Sequence, residues 1–173
     1  VSSEHSKKVF LDTTLQKVDQ RTNQVIGEAK VEKPIEVLFE GANTEIYKVL
    51  DKVESFSELN NIKEKFAYLF VGHWINGDVG EDRKNVGLLI KMFFEVFKNK
   101  KDKPALILKT SQMGSSYVDR DDILKKIKKI QSLVGDNVPN IYLIHGELSP
   151  IEMNALFNHE KVKVHINFTH GEG

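Results

Sequence analysis

From residue 66 onward the apolar positions switch repeatedly between two rhythms. Residues 66–71 form a near-continuous apolar run closed by Gly72, which predicts a strand. Val86, Leu89, Ile90, Phe93, Phe94 and Phe97 recur at spacings of three and four, so 86–97 is predicted as a helix with one wide apolar face. Residues 105–108 form a short apolar strand entered through Pro104. A second helix is expected over 119–134, with Ile123, Ile127 and Ile130 facing the core, acids in its first turn and Gly135 at its end. Residues 141–144 read as a third strand. Ser149, Pro150 and Glu152 then have the spacing of a capping box with proline at the first helical position. Val162, Val164, Ile166 and Phe168 alternate with polar residues, giving a fourth strand. Three of these four strands are apolar on both faces, as strands of a parallel sheet covered by helices must be. The order predicts an α/β class: a Rossmann-like parallel sheet with right-handed crossovers and helices on both faces.

The first 65 residues follow no such rhythm. Ser2 or Ser3 is placed to cap a short helix through Phe10, and the polar stretch 12–33 predicts a hairpin or a loose excursion. Residues 34–39 look strand-like, and Asn43 and Thr44 offer a cap for another short helix. The charged stretch 51–65 suits a surface helix or a linker. The chain starts without Met and stops directly after a strand-like segment, so it is expected to be a partial frame.

Composition narrows the function classes. Lys+Arg and Asp+Glu both number 25, so no global basic excess points to nucleic acid or to an acidic membrane surface. Absence of cysteine excludes disulfides and thiolate metal sites and makes a cytoplasmic location the expectation. No apolar run approaches the roughly 20 residues of a membrane span. The spacing of His73, His145, His165 and His170 matches no zinc pattern, and no metal site is assigned.

In an open parallel sheet, ligands bind outside the carboxyl ends of the strands. Those ends lead here into Gly72-His73-Trp74 and the loop to Arg83-Lys84-Asn85, into Lys109-Thr110-Ser111, into His145-Gly146-Glu147, and into Thr169-His170-Gly171-Glu172-Gly173. Glycines, cations and small hydroxyls at one edge suit a diphosphate: glycine admits backbone amides, cations match the charge, and a helix N-terminus adds a favourable dipole. Solvated loop charges explain Arg83 and Lys84 equally well from sequence alone. Gly72 and Gly77 are followed by Asp78-Val79, which is no P-loop, and no dinucleotide glycine fingerprint follows the first strand.

Phe66 to Gly72, Arg83-Lys84-Asn85 and Thr169 to Gly173 fall in the order and spacing seen in one family. The chain resembles the group 1 glycosyltransferases of GT-B fold, whose nucleotide-sugar-binding half runs strand, Gly, loop, Arg-Lys-Gly/Asn, helix, and ends its fourth unit with Ser/Thr-x-x-Glu-Gly-Phe-Gly. Val1 to Lys8 resembles a Ser-x-x-x-Lys stretch late in the acceptor domain, and Glu36 to Thr44 resembles the segment that opens the interdomain linker. The resemblance implies an incomplete C-terminal half of a GT-B fold (66–173), a linker (34–65) and a remnant of the acceptor domain with a polar excursion (1–33).

Carried over by position, the resemblance makes Lys84, assisted by Arg83, the grip on the donor diphosphate. Glu172 would bond the donor sugar's hydroxyls, and Lys84, Arg83 and Glu172 form the catalytic set. Gly72, His73, Lys109, Gly146, Glu147, His170, Gly171 and Gly173 complete the donor site, with the nucleobase near 144–147. The implied activity is transfer of a sugar with retention from a nucleotide-sugar donor to an acceptor hydroxyl of unknown identity, with no cofactor and no metal. His73 departs from the Arg that many members carry. The second Glu of the family's motif and the helix that follows lie beyond residue 173. The uncovered sheet face is expected to drive homo-oligomer formation, and the piece alone is expected to be inactive. Two rivals stay open: a noncatalytic nucleotide-binding α/β module, and a nucleotide-dependent oxidoreductase, against which the missing glycine fingerprint counts.

Overall fold

A computed structural model of the chain describes residues 1–53, 55–75, 77, 79–112 and 114–167. The chain divides into two compact units, Val1–Thr44 and Glu45–Gly173. In the first, helix α1 (Glu4–Asp12) is capped by Ser3, whose Oγ accepts the Ser6 N–H at 3.1 Å. The excursion that follows is a hairpin of β1 (Leu15–Val18) and β2 (Val25–Ala29), antiparallel and exposed along its length. Its turn is built on Asp19, whose carboxylate accepts the amides of Arg21 and Thr22 at 2.7 and 3.2 Å.

Two expectations for this region are corrected. Residues 34–39 are not a strand: they join no sheet among the described residues, the Val1 ammonium donating to the Glu36 carbonyl and the Leu38 N–H to the Val1 carbonyl. An apolar extended run without a ladder is only extended chain, and Leu38 and Phe39 are exposed. The segment from Thr44 makes a turn rather than a helix.

The second unit is an α/β Rossmann-like sheet. Its elements are β3 (Ala67–Val71), α2 (Val86–Phe97), β4 (Ala105–Lys109), α3 (Tyr117–Val134), β5 (Ile141–Ile144), α4 (Pro150–Asn158) and β6 (Val162–His165). The four strands are parallel in the order β5-β4-β3-β6. Phe70, Leu106 and Leu108 face α2 and α3 in one core cluster. Leu69, Ala105 and Ile107, one position out of phase, face Leu156 of α4 in another. The chain steps one way across the sheet through α2 and α3, then doubles back through α4 on the opposite face. A constant crossover hand requires that change of face.

Local chemistry sets the boundaries. α3 begins at Tyr117, two residues before the expected start, because Ser116 Oγ accepts the Asp119 N–H at 3.1 Å. Gly135 ends it at φ 102°, a conformation that favours glycine. The capping box at α4 forms as expected, Ser149 and Glu152 bonding each other's amides. β6 ends at His165, and Phe168, expected to prolong the alternation, lies outside the described residues. Within 51–65 the only regular piece among the described residues is a 3-10 turn, Ser57–Asn61, which brings Leu59 and Ile62 to the α4 face of the sheet.

The chain before that turn is strapped to α4 by two asparagines one helical turn apart. Asn154 accepts the Lys48 N–H at 3.2 Å and donates to the Lys48 carbonyl at 3.1 Å, while Asn158 accepts the Leu50 N–H at 3.0 Å. A side-chain amide paired with one residue's N–H and C=O satisfies backbone that no sheet serves.

Candidate functional site

Backbone hydrogen bonds continue past the strand ends and keep the exit loops side by side. The Gly72 N–H bonds the Lys109 carbonyl at 3.1 Å, the Trp74 N–H bonds that of Ser111 at 2.9 Å, and the Thr110 N–H bonds that of Ile144 at 3.2 Å. Between these loops lies an open cleft of about 560 Å³. His73, Lys109, Gly146 and Glu147, four of the residues expected at a donor site, line it. Ser111, Gln112 and Ser115, which the strand-end rule touched only at Ser111, line it with them.

Polar side chains tie its lining across strands. Lys109 Nζ donates to the Gly146 carbonyl at 2.7 Å. Burial pushes the Lys109 ammonium below the ordinary lysine value, an effect the nearby Glu147 carboxylate opposes. His73 Nδ1 lies 3.2 Å from Ser111 Oγ. Behind the wall, Asp119 in the first turn of α3 accepts the Gln112 N–H on both oxygens and pairs with His145 at the end of β5. Gly146 adopts φ 105°, which a residue with a side chain takes up only under strain.

Lys84 stands beside this cleft rather than in it. A Cβ added at Gly72 would come within 3.0 Å of both Lys84 Cδ and Phe70 Cζ, so the lysine stem lies across the glycine at the end of β3. The two residues the sequence joins by motif are thus in contact. Arg83 is exposed on the same turn. Trp74 is buried beneath α2, and the Lys126 ammonium sits 5.1 Å from its ring centroid, a cation–π arrangement.

The N-terminus of α2 does not offer its first amides to a ligand. Asp82, 3% exposed, accepts the Val86 N–H at 2.8 Å and the Gly87 N–H at 3.3 Å through its carboxylate, and the Asn85 N–H at 2.9 Å through its carbonyl. The protein's own anion already occupies the place where helix dipole and diphosphate were expected to meet. Anion binding at this edge therefore falls to the cationic side chains and to amides of the other exit loops.

Comparison of the chain with family models, with curated proteins and with solved structures returns no match. His170, Gly171, Glu172 and Gly173 lie outside the described residues. Among the described residues no group of three or more His, Asp or Glu side chains is arranged to hold a metal, and no helix is long and apolar enough to cross a membrane.

Proposed function

We propose that the carboxyl edge of the sheet binds the nucleoside diphosphate of a nucleotide-sugar, and that the chain is the donor-binding half of a retaining glycosyltransferase of GT-B fold. The observation that carries this reading is the convergence of His73, Lys109, Gly146 and Glu147, from the ends of three neighbouring strands, on one cleft with Lys84 laid across Gly72 beside it. In such a reaction negative charge grows on the departing diphosphate as the anomeric bond breaks. Fixed cations stabilise that charge more than they stabilise the bound donor, which lowers the barrier. Lys84 and Arg83 supply the charge, Glu172 holds the donor sugar, and acceptor recognition belongs to a partner domain.

Calorimetric titration with UDP, GDP, ADP and CDP tests the proposal. Wild type should bind at least one of them. Lys84→Ala should weaken binding by about ten- to a hundredfold, the worth of one charge-assisted contact, with little change in melting. Equal affinities would remove Lys84 from the site, and no binding by wild type would end the nucleotide reading.

A further inference from the structure

We infer that the cleft recognises a guanine base, so that its nucleotide is guanosine diphosphate or a sugar ester of it. The inference rests on the nucleotide reading of the cleft and adds to it the identity of the base.

Glu147 and Lys109 are the cleft's only charged lining side chains among the described residues, and they are opposite in sign. The Glu147 carboxylate is a pure acceptor, exposed, and among the described residues no hydrogen bond reaches it. Lys109 is a pure donor: one proton goes to the Gly146 carbonyl, and two remain for a ligand. Lys109 Nζ is held 2.7 Å from the carbonyl of Gly146, the residue before Glu147, and both side chains line the cleft, so the two groups address the same part of it. A base that satisfies both must turn N–H groups to Glu147 and an acceptor to Lys109.

Guanine alone among the common bases gives two N–H groups to one carboxylate, N1–H and the 2-amino group, with the O6 acceptor next to them. The pairing has the two-pronged geometry of a guanidinium on a carboxylate. Adenine and cytosine present a single amino group. Uracil presents one N–H between two carbonyls, which a carboxylate repels. The base would also screen both charged groups from water, which strengthens these bonds and raises the penalty for a base that leaves one unmet.

Four diphosphates and inosine diphosphate, which is guanine's analogue without the 2-amino group, separate the outcomes by calorimetric titration of the whole chain. GDP should bind roughly tenfold or more tightly than ADP, CDP or UDP, with IDP between them. Glu147→Gln, a change at an exposed position, should bring GDP and IDP to the level of the others, with UDP gaining because its carbonyls no longer face a carboxylate. Circular dichroism melts of the variant confirm that it folds. Binding of several diphosphates with no preference for GDP, or a preference that survives Glu147→Gln, overturns the inference and leaves the nucleotide site standing. No binding of any diphosphate overturns both.

Discussion

Asp119 Oδ2 lies 2.7 Å from His145 Nε2, with the two side chains 11% and 9% exposed. Asp119 belongs to the helix after β4 and His145 to the exit of β5, so the pair spans two neighbouring crossover units. The same carboxylate receives the Gln112 N–H at 3.2 and 3.1 Å. One acid therefore fastens both walls of the cleft. Asp119→Ala leaves the Gln112 amide and the His145 ring without their acceptor, and should cost about 2–3 kcal/mol. Chemical denaturation measures it, and a loss under about 0.5 kcal/mol would show the pair to be incidental.

The contact between Lys84 and Gly72 can be tested without a ligand. Gly72→Ala inserts a methyl 3.0 Å from both Lys84 Cδ and Phe70 Cζ. Crowding of that kind should lower stability by about 1 kcal/mol. The same change in a Lys84→Ala background should cost measurably less, because the Lys84 side of the clash is gone. A double-mutant cycle that closes additively would mean that the lysine stem is elsewhere in solution.

His159 gives the fold a pH dependence. The residue is 4% exposed, and its Nδ1 accepts the Lys161 N–H at 3.2 Å. Burial holds its imidazole below the ordinary 6.5, Lys161 adding to the effect and Glu160 and the Phe56 backbone opposing it. The unfolded chain therefore takes up the proton first. The stabilisation is complete above about pH 6.5 and is lost as pH falls through the folded-state value. Melting temperature should drop from about pH 7.5 to 5.5 more steeply for wild type than for His159→Gln. Parallel curves would rule out His159 as the source.

The asparagine strap on α4 predicts a loss of stability when its donor is removed. Asn154→Asp replaces the amide that donates to the Lys48 carbonyl with an oxygen, leaving two acceptors face to face. A penalty of about 1–3 kcal/mol follows. Hydrogen exchange of the Lys48 and Leu50 amides should quicken first, since Asn154 and Asn158 are their acceptors. Unchanged exchange there would mean that something else holds the segment.

What could be read from the sequence was what local patterning encodes. α2 was legible because Val86, Leu89, Ile90, Phe93 and Phe94 all turn to one core. The α4 capping box was legible because its partners are three residues apart. The apolar stretch 34–39 misled because strand identity depends on a neighbour, and no local signal reveals that the neighbour is missing. At the site, the rule that ligands meet strand ends picked out His73, Lys109, Gly146 and Glu147 without knowledge of a single contact. It could not find Asp119, whose partner His145 is 26 positions away, and it took the first turn of α2 as open because nothing in Asp82 announced that its carboxylate turns inward.

The reversal of strand order has a consequence for synthesis on the ribosome. β4 pairs with β3 and β5 with β4, so each can add as soon as it leaves the exit tunnel. The second edge of β3 has no such neighbour until Val162 emerges. Through all of that interval an interior strand of the finished sheet, carrying the buried Leu69 and Phe70, offers a free row of backbone donors and acceptors to any other growing chain. β6 closes that row, and it is translated last of the four.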